Sequence, residues 1–517
     1  MPERSNMRIT NKIMQRNNLS NLNTNKIYQD RLSTQMSTQK KINRPSDDPV
    51  VAIRALRLRS SVTEITQYYD KNIPDAESWL NVTEDALKNL SQILTNMIEQ
   101  CTKGSNGDLT TEDRQIILEQ LKALGDEVYK TGDADYAGRY VFTGYRTDTS
   151  LSFTEATKQI YEITEQLDKN AIGSITKVDS GKLLDWTEQN YESLTDSDEQ
   201  AVDAIEVYRI RLAYNNCSDD KANAPSITYQ NADGEEVTLD STVVHSYEDP
   251  YKMAANNPDA VIFVPETGEL LLGANKYNEL MTTKDDASTV ENEGEIRITY
   301  RKSDWAKGDL RPQHYFACTS DPDNEEEKIE YNKTFLEGVA EKQAIEYDVG
   351  FNQTIRVNST ADECFQHGIG RDVDDLVNAI REVIDLETVK EKIEEKLKAA
   401  TGDDAKKLQD QLDGVNKALT FSKDKCQKLF EHGITGFQKF LNSANLCITN
   451  CGTRSSKLEL IENRMQNQKT TFETLKSENE DVDITEVAID LTSAELTYEA
   501  ALMATGKVMQ TTLLNFI

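Results

Sequence analysis

A regular apolar stripe between residues 73 and 101 constrains this chain more than any other feature. Ile73, Ala76, Leu80, Thr83, Leu87, Leu90, Leu94, Met97 and Cys101 follow one another in alternating steps of three and four. That period keeps one narrow face of an α-helix apolar over about four heptads, which is a coiled-coil seam and needs a partner helix along its length. "TKGSNGDLT" (102–110) ends the stripe, with Gly104 and Gly107 as turn residues. A second helical face follows at Ile117, Leu121, Leu124 and Val128. Pro74 should kink or interrupt the helix, because proline has no N–H to donate.

The helical pattern then stops. "GRYVFTGYRTD" (138–148) is aromatic and β-branched and reads as strand or hairpin. Residues 150–225 are mixed, and from about 226 to 358 the signals are for strands. Asp233-Gly234 and Thr267-Gly268 sit between strand-like runs as hairpin turns, and "EIRITYR" (295–301) and "QTIRVN" (353–358) are further strands. Helix returns with "DVDDLVNAIREVIDL" (372–386), is punctuated at "GDD" (402–404), and runs on through Leu429, Phe437, Leu441, Leu458, Ile461 and Met465 toward Leu475.

Both ends are helical. Residues 7–45 are polar with sparse apolar positions at Ile9, Ile13, Leu19, Leu22, Ile27, Leu32, Met36 and Ile42. So thin a stripe cannot stabilise a helix by itself, and this arm is expected to order only in an assembly. Residues 484–517 carry a stripe of Ile484, Val487, Ala488, Leu491, Ala494, Tyr498, Ala501, Leu502, Val508, Met509, Leu513 and Phe516, begun by Asp483 as cap. The expected fold is mainly α with a β-rich insertion, nested in five parts. These are an N-terminal arm (1–48), a rod half with a hairpin (49–150), a β-rich domain (151–370), a second rod half (371–480) and a C-terminal helix (481–517).

Charge sharpens the nesting. The chain carries a net charge of -32, which makes it a poor coat for nucleic acid. Residues 1–60 nevertheless hold twelve Lys/Arg against four acids, whereas residues 481–517 hold six acids against Lys507 alone. The two ends are expected to pair, in a salt-dependent way. No run of 18 apolar residues suggests a transmembrane helix. The first residues lack the apolar core of a secretory signal, so the protein is expected to stay inside the cell or leave by another route.

A search for chemistry nominates no catalytic, cofactor-binding or metal-ligating residue. Four histidines and seven cysteines are scattered. His314 and Cys318 are near in sequence, but neighbours in an extended segment rarely form a dyad. Cys447 and Cys451 stand four apart without further ligands, which favours small buried residues over zinc. "QHGIGRD" (366–372) could hold an anion at a helix N-terminus, but a glycine turn before an Asp-capped helix explains it as well. The acid pair Asp374-Asp375 reads as a cap or solvated face.

"KINRPSDDPVVAIRALRLRS" (41–60) is the densest stretch. Asp48 is placed as an N-cap with Pro49 at the first helical position, Asp47 adds charge favourable to the helix dipole, and Pro45 keeps Arg44 extended. Arg54, Arg57 and Arg59 are left over. They are either a solvated basic face or contacts for acids on the C-terminal half or a neighbouring copy.

These residues carry a resemblance. "RLSTQMSTQKKINRPSDDPVVAIRALRLRS" (31–60), including Asn43, resembles the N-terminal signature of bacterial flagellins and hook-associated proteins. The form with both prolines is similar to that of the family's junction members. "GRYVFTGYRTDTSLSF" (138–153), "GTRSSKLELIENR" (452–464) and "DITEVAIDLTSAELTYEAALMATGKVMQTTLLNFI" (483–517) resemble further motifs of the group. The resemblance implies a flagellin-like architecture and a structural adaptor, not an enzyme, joining hook to filament. It implies assembly as a ring between hook-associated protein 1 and the first flagellin layer, with no cofactor, nucleic acid or membrane insertion. It also implies export through the flagellar type III apparatus, with a chaperone on the C-terminal helix. A filament subunit is the alternative.

Overall fold

The computed structural model describes residues 11–107, 109–194, 202–231, 233–282, 296–324, 326–337 and 343–510. The chain divides into two compact units. The first combines the chain up to Asp75, Asp348–Thr354 and the chain from Lys457 on; the second holds Ala76–Tyr347 and Ile355–Ser456.

In the first unit, α1 (Asn11–Thr38) lies along the last helix, α10 (Ile484–Gln510). The spacing of apolar residues suggested helix to about residue 45, but α1 stops at Thr38. Gln39 takes a left-handed conformation (φ +58°), and Lys40 pairs with Asp481 as an antiparallel bridge. A short extended ladder therefore replaces the expected last turns. α2 (Pro49–Gln67) follows the break.

Between α2 and α3 (Ile73–Gly104), residues Tyr68–Asn72 form a π-helix, in which the Ile73 N–H donates to the Tyr68 carbonyl. Pro74 is the cause. It has no N–H for the Asp70 carbonyl, and its ring needs the wider turn to clear the preceding one. The interruption expected at Pro74 is one widened turn in a path that remains helical.

In the second unit, every seam residue of α3 from Ala76 to Cys101 is buried. α4 (Thr111–Gly132) starts with a capping box in which the Thr110 side chain accepts from the Asp113 N–H and the Asp113 carboxylate accepts in return. α4 packs on α8 (Gly368–Ala399). α9 (Asp403–Glu480) is one continuous helix of 78 residues that begins within the "GDD" turn and carries Leu429, Phe437, Leu441, Leu458, Ile461 and Met465. Gly402, at φ +70°, makes the turn between α8 and α9.

The motif at 138–148 is only marginally β. Asp135–Tyr136 (β1) and Arg139–Tyr140 (β2) make a two-residue hairpin, and the rest is bends. Val141 and Phe142 turn inward as core instead, with Phe142 edge-on to Phe365 at 4.7 Å. Strands begin earlier than residue 226. β3 (Tyr161–Leu167), β4 (Ile172–Asp179) and β5 (Asp203–Arg211) lie in the stretch that looked mixed.

β6 (Ser226–Gln230) and β7 (Glu236–Asp240) flank Asp233-Gly234, while β9 (Val261–Val264) and β10 (Glu269–Leu272) flank Thr267-Gly268. With β8 (Thr242–Val243), β11 (Ile296–Lys302), β12 (Ala317–Ser320) and β13 (Ile329–Tyr331), the strands form two sheets. One has the order β4-β5-β10-β9-β8, the other β13-β12-β3-β11-β6-β7. A final hairpin joins β14 (Glu346–Gly350) to β15 (Gln353–Arg356), and three short helices, α5 (Pro250–Asn256), α6 (Ala274–Met281) and α7 (Ala361–Cys364), lie between α4 and α8 in sequence.

Candidate assembly site at the paired chain ends

α1 presents to α10 a stripe of Gln15, Asn18, Leu22, Asn25, Gln29 and Leu32, half-buried except for Leu32, which is buried. α10 answers with Val487, Leu491, Ala494, Tyr498, Ala501 and Thr505, again in steps of four and three. Leu32, Val487 and Ala494 form the apolar centre, with Leu491 and Val482 against it. The seam inside one chain is therefore largely amide on the α1 side.

The remaining apolar residues face away. Ile13, Leu19 and Ile27 are exposed, and so are Ile484 and Leu502. On α10, Ile489, Leu496 and Met503 stay 66%, 63% and 68% exposed, seven residues apart along one line. Two helices cover one stripe on each other, so a second stripe needs a third helix. Of the packing residues expected from sequence, Leu22, Leu32, Val487, Leu491, Ala494 and Tyr498 face the intrachain seam, whereas Ile13, Ile484 and Leu502 do not. Ile42 is half-buried outside any helix. Leu513 and Phe516 lie outside the described residues.

The joint between α1 and α2 meets the joint between α9 and α10. The Lys41 N–H donates to the Glu480 carbonyl (2.8 Å) and the Val482 N–H to the Gln39 carbonyl (3.1 Å). Asp48 accepts from the N–H groups of Val50 (2.9 Å) and Val51 (3.1 Å), with Pro49 opening the helix. Asp47 accepts instead from the N–H groups of Arg44 (3.0 Å) and Asn43 (3.3 Å), closing the "NRPSD" turn around Pro45. Both acids are thus occupied by backbone. Asp483 caps α10 by accepting from Thr485 N–H (2.8 Å).

The three arginines separate. Arg59 grips Glu480 side-on, its Nε and Nη2 donating to the two carboxylate oxygens at 2.6 and 2.8 Å, and Lys40 binds Asp481 beside it. The Glu480 side chain is 4% exposed, and its bond to Arg59 holds its carboxyl below the ordinary glutamate range. Arg54 and Arg57 are exposed and make no ion pair among the described residues. Val50, Ile53 and Leu56 are exposed on the same helix. Sequence reasoning missed Glu480, because the acidic window was drawn from residue 481, one position too late.

The enzyme-like candidates dissolve. The His314 Nε2 lies 3.1 Å from the Ser150 carbonyl, and burial pushes its pKa down to about 4. Burial pushes the Cys318 thiol up to about 12, the reverse of an activated nucleophile. The glycine run at 368–370 lies inside α8, not before it, and the Gly370 N–H is taken by the Tyr129 hydroxyl (2.9 Å). Asp372 is consequently no cap; it and Asp375 pair with Arg211, and Asp375 also with Arg209. The alternation of β5 puts both arginines on the face that meets α8, which sequence spacing alone could not reveal. No group of three or more potential metal ligands occurs among the described residues. No helix among them is long and apolar enough to cross a membrane.

With this geometry, comparison with known proteins is specific. Residues 9–147 match the bacterial flagellin N-terminal helical region. Over those residues the chain is similar to bacterial flagellins, as the motifs at 31–60 suggested. The curated relatives include flagellar hook-associated protein 3 of Salmonella typhimurium, 28% identical over 31% of this chain and 52% of that protein. A flagellin of Clostridium tyrobutyricum is 29% identical over 24% of this chain and 32% of that one. The chain spans about half the length of the hook-associated relatives it matches. A solved hook-associated protein from Vibrio parahaemolyticus aligns over 84% of this chain and all of that one, at 13% identity and a TM-score of 0.33.

Proposed function

We propose that the chain is a structural adaptor of the bacterial flagellum, placed between hook and filament, and not an enzyme. The observation that carries the reading is the unfinished terminal pair. α1 and α10 cover one stripe on each other and leave a second apolar line, Ile489, Leu496 and Met503, open to solvent. Such a pair is built to be completed by other copies, and a ring supplies them.

In this reading the terminal segments (1–48 and 481–517) form the assembled coiled coil. Residues 49–150 and 371–480 are the two halves of a rod, and residues 151–370 are an outer β-rich domain. Hook-associated protein 1 lies on one side and flagellin on the other. The chain reaches the cell exterior through the flagellar export apparatus, and a chaperone covers α10 beforehand. Arg54 and Arg57, with Val50, Ile53 and Leu56 beside them, meet acids of a neighbouring subunit. The outward acids of α10, Asp490, Glu495 and Glu499, offer the complement.

A strain lacking the gene tests the reading. Flagellin should spill into the medium while hooks stay bare. Residual filaments of normal length would sink the adaptor role and favour the alternative, a filament subunit, which the match to a flagellin supports.

A further inference from the structure

All seven cysteines are buried as free thiols, yet two of them are arranged unlike the rest. The Cys447 thiol on α9 donates to the carbonyl of Glu363 at 3.6 Å. Glu363 is the third residue of α7 (Ala361–Cys364), a single turn in which its carboxylate accepts from the Thr360 N–H at 3.2 Å. The next residue is Cys364, so the Cys447 thiol lies against the backbone that carries it, and burial, then the Cys447 thiol, raises the Cys364 pKa. Both belong to the second unit, and both are shut off from solvent, at 1% and 7% exposure. Cys451, one turn further along the same face of α9, donates instead to the Leu80 carbonyl on α3 at 3.4 Å. The Cys217 thiol bonds to the Tyr214 carbonyl within its own loop.

We propose that Cys364 and Cys447 are a dithiol that a small disulfide oxidises to a crosslink between α7 and α9. The thiolate of Cys447 attacks one sulfur of the small disulfide. A mixed disulfide forms and one small thiol leaves. The thiolate of Cys364 then attacks the Cys447 sulfur, the protein disulfide forms, and the second small thiol leaves. The two cysteines lose two electrons and two protons; the small disulfide is reduced to two thiols.

Burial and the neighbouring thiol push the Cys364 thiol up, so exchange in the folded chain is slow. It proceeds as the chain folds, when both sulfurs are still reachable. The crosslink closes a loop across the whole of α8. It pins the segment that returns from the β-rich region to the long helix, chiefly by restricting the unfolded chain.

Refolding the full reduced chain in mixed oxidised and reduced glutathione tests this. Free thiols are then alkylated and peptides are mapped without reduction. The peptide holding Cys364 should be linked to that holding Cys447, in wild type and in Cys451→Ser, and the link should vanish in Cys447→Ser. Oxidised wild type should melt about 5 °C above its reduced form, and Cys364→Ser should show no such difference. Complete alkylation of both residues overturns the proposal, as does a glutathione adduct left on either, or a link through Cys451 that survives in Cys447→Ser.

Discussion

Glu165 lies on β3, where strict alternation points Tyr161, Ile163 and Glu165 to the same buried side. Its carboxylate accepts from the Ala213 N–H at 2.8 Å and from the Tyr300 hydroxyl, while its Oε2 has no partner. Desolvation raises its pKa from 4.5 to about 7. A raised carboxyl pKa means that folding favours the protonated form. Stability from this group is complete below about pH 4.5 and falls as pH rises through about 7, by at most ~3 kcal/mol. Melting followed between pH 5 and pH 8 should show this decline, and Glu165→Gln should flatten it while melting higher at pH 8. An unchanged slope in the variant would refute the assignment. Glu480 behaves oppositely. Its pKa is lowered, so its bond to Arg59 stabilises at neutral pH and is lost as pH falls below the usual glutamate range. Arg59→Ala should cost about 1 kcal/mol at pH 7, given that the arginine is half exposed, and less at pH 3.5.

At the scale of elements, the caps are the part with a local cause. Asp48 serves two N–H groups at the start of α2, so Asp48→Ala should cost about 1 kcal/mol and speed hydrogen exchange at Val50 and Val51. Asp47→Ala should leave those two amides protected, because Asp47 serves the preceding turn. The heptad of α3 and both Gly-containing hairpins were equally legible, since each depends on spacing or turn chemistry within a few residues. α1 was not. Its sparse apolar residues marked a helix, and Leu22 and Leu32 do lie on the inner face, but Ile13, Leu19 and Ile27 do not. Gln15, Asn18, Asn25 and Gln29 line the seam, and amides there have no signature that separates them from surface amides. The early strands β3, β4 and β5 were hidden for a related reason. Charged and polar residues interrupt their apolar pattern, and β3 pairs with β11 and β12, more than a hundred residues further along the chain.

For the molecule as a whole, α1 and α10 should stand or fall together. Deleting residues 484–517 should remove about twice the helical signal at 222 nm that α10 alone accounts for, because α1 cannot hold its helix without a partner. Loss of α10's share only would show α1 to be self-sufficient. Arg54 and Arg57 belong to the assembly and not to the monomer. Arg54→Glu with Arg57→Glu should weaken self-association several-fold at low salt while the melting of the isolated chain stays within about 1 °C of wild type. Equal assembly of variant and wild type at low salt would refute the intersubunit contact.

The sequence by itself determined the nested order of helix and strand, the seam of α3, the caps at Asp48 and Asp483, and the absence of catalytic motifs. Each of these is written in spacing, turn chemistry or residue type over a short window. Only the tertiary structure decided which stripe of α1 is covered, that Arg59 rather than its two neighbours finds Glu480, that Asp372 and Asp375 answer arginines of β5, and that Cys447 lies against the Glu363 carbonyl next to Cys364. Those pairings join residues tens to hundreds of positions apart. Their partners are chosen by packing, which fixes distance and burial, and no local pattern in the chain carries that information.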